Sequence, residues 1–293
     1  MTAQNILTLV NPVNGNLAFQ IFSFEDNSHF DHLQRLSYYS VVFVTEGDGI
    51  LKVDVSEHPF SQHALMCFSP YQPFMFRSEK TLKGIAINFH PDFFCIHKHQ
   101  HEIACNGVLF NNIYEPPILP VGQIDIDSFK NLIEQMKVEM KQAELAQYEL
   151  LISYLKILLI NASRLKVKYR PEALASTASQ EPFILQNLKE AIEAHYRQKH
   201  SASEYADLLN ISAKALARIT RNYFNKTLTN LISERIIIEA KRELYLTAKP
   251  VKAIARELGF NDEYYFSRFF KNNADVSPQL YRETVGYGAE NRM

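Results

Sequence analysis

Two stretches of this 293-residue chain carry side chains able to do chemistry. In the first, His90, Cys95, His97, His99, His101 and Cys105 crowd together with Glu102, and imidazole, thiolate and carboxylate are the ligands of zinc and iron. If the segment were extended, His97, His99 and His101 would share one face. Pro91, Asp92 and the Phe93-Phe94 pair instead predict a turn or a helix start, on which histidines two apart diverge. The expectation is loop histidines with no metal and no cofactor, His97, His99 and His101 being the only metal candidates. No nucleophile with a placed base, Walker phosphate loop or dinucleotide fingerprint is present, so the chain is not expected to be an enzyme.

The second stretch is basic. Lys214, Arg218 and Arg221, and later Arg268 and Lys271, recur at helical spacing; an arginine can form a bidentate pair with guanine and a lysine can hold a phosphate. Two helix-turn-helix patterns must position them. In the later one, Pro250 opens a short helix through Leu258, Gly259 breaks it, and Asn261 or Asp262 caps a helix carrying Tyr265, Phe266, Phe269 and Phe270 to near Asn273. In the earlier one, Ala202 to Leu209 is followed by a turn at Asn210 and Ile211. Ser212 then caps a helix through Tyr223, with Leu216 and Ile219 inward. Between them Thr229 to Thr247, with Leu231, Ile232, Ile236, Ala240 and Leu244, predicts a connecting helix about 28 Å long at roughly 1.5 Å per residue. Successive major grooves on one DNA face lie about 34 Å apart, within reach of such a connector.

Ile254, Ala255, Gly259, Phe260, Asp262, Tyr265, Phe266, Phe269, Phe270 and Lys271, leading into Ser277, Pro278, Tyr281 and Arg282, resemble the signature of the AraC/XylS family of transcription regulators. The resemblance implies two DNA-reading units in one domain. Asn225 and Asp275 stand where that pattern usually has glycine after each recognition helix, and both tolerate the left-handed backbone required there. By position in the matching helices, Lys214, Ala217, Arg218 and Arg221 face a first groove, and Glu263, Tyr264, Ser267 and Arg268 a second, with Arg218 and Arg268 as base readers. Arg221 and Lys271 fall nearer the helix ends, as phosphate holders.

The preceding part of the chain is different. From Phe183 onward there are 17 basic and 13 acidic residues; the overall charge of −1 therefore leaves −5 for the residues before it. Tyr38 to Thr45 and Ile50 to Val55 flank Gly47, Asp48 and Gly49 as a hairpin, and Ala64 to Ser69, Phe74 to Arg77 and Leu82 to Phe89 continue the strand pattern. Short strands in a compact segment predict a small barrel or sandwich; in the family resemblance this position holds a cupin-like sensor barrel. Phe43, Phe68, Tyr71, Phe74, Phe76 and Phe89 are the candidate lining of an effector pocket. Two helices follow, Asp127 to Gln142 with Phe129, Leu132, Ile133, Met136 and Met140 on one stripe, and Ala143 to Lys166 with apolar residues on two sides. One core cannot easily cover both sides, which predicts a two-fold dimer through Leu150, Leu151, Tyr154, Leu155 and Leu158.

The fold expected is α+β and multidomain: a cupin-like β-barrel at 1–124, a helical pair for dimerisation at 125–169, a linker at 170–182, an all-α domain with two helix-turn-helix units at 183–286 and a tail at 287–293. The function expected is a regulator binding double-stranded promoter DNA as a homodimer, responsive to a small-molecule effector, with RNA polymerase as a further partner. A metal-dependent cupin enzyme, or a ligand-independent assembly domain, fused to the DNA-binding part is the alternative. No apolar run reaches the roughly 20 residues of a membrane span, no signal-peptide pattern opens the chain, and three cysteines cannot all pair, so a cytoplasmic protein with reduced thiols is expected.

Overall fold

A computed structural model describes residues 6–12, 15–99, 107–142, 144–169 and 183–285. The chain forms two compact units, one of residues 1–112 and 116–169, the other of residues 170–293 with the short segment Ile113–Glu115. The expected linker at 170–182 and tail at 287–293 lie outside the described residues, as do His101, Glu102 and Cys105.

Among the described residues the first unit begins with nine strands: β1 (Leu7–Val10), β2 (Leu17–Phe24), β3 (Tyr39–Glu46), β4 (Gly49–Val53), β5 (Ser56–Phe60), β6 (Ala64–Phe68), β7 (Phe74–Arg77), β8 (Lys83–Phe89) and β9 (Ile118–Pro120). They make two antiparallel sheets, a six-stranded one in the order β1-β2-β8-β3-β6-β9 and a three-stranded one in the order β5-β4-β7. The strands therefore do not close into a barrel: among the described residues no ladder joins the two sheets. The expected β3–β4 hairpin is absent for the same reason. Both edges of β3 are occupied, by β6 and β8, so the Gly47–Gly49 turn carries the chain from one sheet to the other. Gly47 is needed for this, at φ +94 with Thr81 O 2.9 Å from where a Cβ would stand. The hairpin forms one strand later, between β4 and β5, with Asp54 at φ 51 in its turn.

The six-stranded sheet buries both faces. Phe19, Ile21, Tyr39, Val41, Phe43, Ile87 and Phe89 point into a core shared with two helices, α1 (Gln123–Lys141) and α2 (Gln147–Lys168). Phe22, Phe24, Val42, Val44 and Ala86, one residue away along each strand, point into a second core with Leu51, Phe68, Phe74 and Phe76. Phe68 and Phe74 stack there with ring centroids 3.7 Å apart. α1 buries Phe129, Ile133 and Met136, the expected stripe, but starts four residues earlier than its periodicity suggests. In α2, Leu151, Leu155 and Leu158 are wholly buried in the unit's own core, which removes them from any dimer contact. Leu150 and Ile157 remain outward, 39% and 44% exposed, with Tyr154 half-buried on the same side.

The described elements of the second unit are all helices. α3 (Phe183–His195) precedes a short helix α4 (Ala202–Leu208), then α5 (Ala213–Phe224), α6 (Leu228–Leu246), α7 (Val251–Glu257), α8 (Glu263–Ala274) and α9 (Pro278–Val285). α6 runs through its centre with Leu231, Ile232, Ile236, Ala240 and Leu244 buried. Beside that stripe Glu239 is almost wholly buried and pairs with Arg197 at 2.9 Å, Arg242 at 3.0 Å and Arg235 at 3.3 Å. Burial alone would raise the Glu239 carboxyl, but the three guanidinium groups hold it below the usual carboxylate range. Arg235 also pairs with Glu193 and lies 4.0 Å over the Tyr196 ring, so this cluster clamps α3 to α6.

Candidate nucleic-acid interface

The two helix-turn-helix units are built alike. α4 is opened by a capping box, in which the Ser201 hydroxyl accepts from Glu204 N while the Glu204 carboxylate accepts from Ser201 N. Its chain reverses through Asn210 at φ 53, and Ile211 N donates to Ala206 O at 3.0 Å. In the second unit Pro250 caps α7, Gly259 takes the same turn at φ +81, and Phe260 N donates to Ala255 O at 2.9 Å. Gly259 has a further reason to lack a side chain: a Cβ would stand 2.1 Å from the carbonyl oxygen of Arg197.

The second helices match position for position at an interval of fifty residues. Ser212 Oγ accepts from Ala215 N at 3.2 Å, and Asp262 Oδ1 accepts from Tyr264 N at 2.7 Å. Leu216, Thr220 and Phe224 are buried on α5, as Phe266, Phe270 and Ala274 are on α8. Asn225 at φ 54 and Asp275 at φ 62 end the two helices in the left-handed conformation, each donating its backbone N–H to the carbonyl four residues before. Thr227 and Ser277 then cap α6 and α9.

This leaves one outward face on each helix. Lys214, Ala217, Arg218 and Arg221 are all exposed on α5; Tyr264, Arg268 and Lys271 are exposed on α8, with Glu263 and Ser267 half-buried. Positions 214, 217, 218 and 221, like 264, 267, 268 and 271, are spaced three and four apart and so share a face. Tyr264 is 80% exposed, unusual for so large a ring without a partner surface. The sequence reading missed Asn222 and Asn272, exposed at equivalent places next to the basic pair Arg221 and Lys271. The fifty-residue interval is the signal that finds them.

The other candidates are not brought together. Residues 91–99 are turns rather than a strand, so His97 and His99 do not alternate on one face. The His99 ring lies parallel to Phe94, centroids 5.0 Å apart, and among the described residues no three potential metal ligands cluster. Of the six rings assigned to one pocket, Phe68, Phe74 and Phe76 lie between the sheets, whereas Phe43 and Phe89 point to the helices; strand alternation separates them. Tyr71 sits in a turn at φ 55. Cys67 is buried with its thiol pushed up to about 12 by burial, chemically inert at neutral pH. Among the described residues no helix is long and apolar enough to cross a membrane.

Comparison with known proteins matches residues 205–284 to the helix-turn-helix domain family. The regulatory protein SoxS of Salmonella typhimurium is 33% identical over 102 residues, 35% of this chain and 95% of SoxS. The transcriptional activator Btr of Bacillus subtilis is 22% identical over 239 residues; these cover 82% of this chain but 43% of Btr, so the chain spans less than half of that relative. The solved structure of ToxT from Vibrio cholerae is 12% identical, covering 97% of this chain and 98% of its own with a TM-score of 0.41. Nearly the whole of SoxS is matched by a single segment of this chain, and the helix-turn-helix family match spans both recognition helices. The chain belongs to the AraC/XylS family, whose members are transcription regulators and not enzymes.

Proposed function

We propose that the protein is a sequence-specific transcription regulator whose residues 183–286 bind double-stranded promoter DNA, acting in the cytoplasm and presenting itself to RNA polymerase. The observation that carries this is the pair of matched faces, with Arg218 and Arg268 at equivalent exposed positions on α5 and α8. A guanidinium there meets guanine O6 and N7 in the major groove, and Arg221 and Lys271 hold the flanking phosphates. Arg218→Ala and Arg268→Ala should each cost about 1–3 kcal/mol of discrimination between the target and random duplexes, measured by fluorescence anisotropy on sites recovered by genome-wide mapping. Equal losses on target and random DNA would remove both residues from base reading.

The same reading makes the first unit a cupin-like sensor of a small molecule, residues 1–124, followed by a dimerising helical pair, 125–169. Support for a ligand comes from Ser40 and Asn88, neighbours across β3 and β8 on the side of Val42 and Ala86. Both are almost wholly buried, and among the described residues Ser40 Oγ and Asn88 Oδ1 have no hydrogen-bond partner. A metabolite selective for the folded state must raise the melting temperature, and a panel in which none does would favour a purely architectural role for this unit. Support for a dimer comes from the outward apolar pair Leu150 and Ile157 on α2, two turns apart.

A further inference from the structure

The two recognition helices agree in the middle and differ at their first turn. Arg218 and Arg268, Arg221 and Lys271, and Asn222 and Asn272 are matched in class, yet Ser212, Ala213 and Lys214 on one helix become Asp262, Glu263 and Tyr264 on the other. From 212 to 224 there are three cations and no acid; from 262 to 274 there are two of each. Backbone attraction does not follow this contrast. α7 adds exposed Lys252 and Arg256 beside Glu257, whereas α4 adds only Glu204 and Asp207, so summed over each whole unit the charges nearly even out. The difference therefore falls on the base edges.

First-turn residues of a recognition helix are the ones that meet those edges. Tyr264 is the second residue of α8, and its backbone N–H is held by the Asp262 carboxylate at 2.7 Å, so its Cα is fixed on the outward face of the first turn. A ring presented there packs on the 5-methyl of thymine, the one apolar group on the major-groove edge of a base pair. Lys214, at the equivalent place on α5, finds the O6 and N7 acceptors of guanine instead. Glu263 repels those same acceptors and reinforces the preference.

We propose that Tyr264 selects a thymine in the half-site read by α8, at the position where the half-site read by α5 carries a guanine opposite Lys214, while Arg218 and Arg268 require guanine at equivalent positions in both halves. This rests on the DNA-binding reading above. The test uses the full-length protein and a pool of random duplexes from which bound sequences are selected, followed by replacement of each thymine in the recovered site by uracil, which deletes only the methyl. One position in the second half-site should lose about fourfold in affinity, the ~0.8 kcal/mol of one buried methyl group. Tyr264→Ala should bind thymine and uracil sites equally while keeping both guanine preferences, and Tyr264→Phe should retain the distinction; at 80% exposure neither change disturbs the core. Indifference to uracil everywhere, or a thymine preference that survives in Tyr264→Ala, would overturn the assignment. A pool that yields no enriched sequence would instead overturn the DNA-binding reading on which it stands.

Discussion

Glu239 shows how a single buried charge sets the geometry of a reading head. Three arginines face it, two from its own helix and one from the segment after α3, so the carboxylate ties α6 to the chain that leaves α3. Its pKa is held below the usual range, so the stability it contributes is present above the unfolded value of about 4.3 and is lost as pH falls through the lower folded value. Glu239→Gln should cost about 3 kcal/mol at pH 7, the low end for unpairing a buried ion, because the arginines are partly exposed. In urea titrations the wild type should lose more stability than the variant between pH 5 and pH 3. A constant gap across that range would show that the pairing is not the source of the difference. The sequence alone hid this cluster, since Arg197 lies 42 residues before Glu239 and nothing local to Glu239 marks it as buried.

Among the elements, the helix stops were legible and the sheet pairings were not. Ser212, Asp262, Asn225 and Asp275 act on hydrogen bonds within four residues of themselves, so residue type and spacing were enough to place both recognition helices. Sheet partners are decided far along the chain. Gly47 to Gly49 has every local mark of a hairpin, yet β6 and β8 had already taken both edges of β3. β2 went unread because it is buried on both faces, which erases the alternation that marks a strand. Two apolar sides of α2 read alike because helical periodicity does not say which one the protein's own core claims, and Leu151, Leu155 and Leu158 belong to that core. The local nature of the helix stops also makes them separable from the rest. Asn225→Gly and Asp275→Gly should each stabilise the protein by about 0.5–1 kcal/mol, since glycine enters the left-handed region without the Cβ penalty. Asn225→Val should destabilise it by about 1–2 kcal/mol. Denaturant midpoints at unchanged slope would check both signs.

For the whole molecule, the apolar surface left on the first unit matters most for assembly. Leu150 and Ile157 lie two turns apart on α2 with Tyr154 between them, a stripe that a second copy can cover about a two-fold axis. If the wild type is a dimer, the double variant Leu150→Glu, Ile157→Glu should sediment as a monomer at the same concentration while keeping a cooperative melting transition, because neither side chain reaches the core. A wild type that sediments as a monomer throughout would leave that stripe without a role in assembly.

The carbonyl of Arg197 pressed against Gly259 has a consequence for the DNA as well as for the protein. It braces the turn of the second reader against the chain that enters the first, while α6 fixes their separation. The pair then behaves as a caliper locked at one opening. A promoter that gains a single base pair between its half-sites turns the second half by roughly a tenth of a revolution, away from a reader held at that opening. Spacing, as much as sequence, is what such a protein measures.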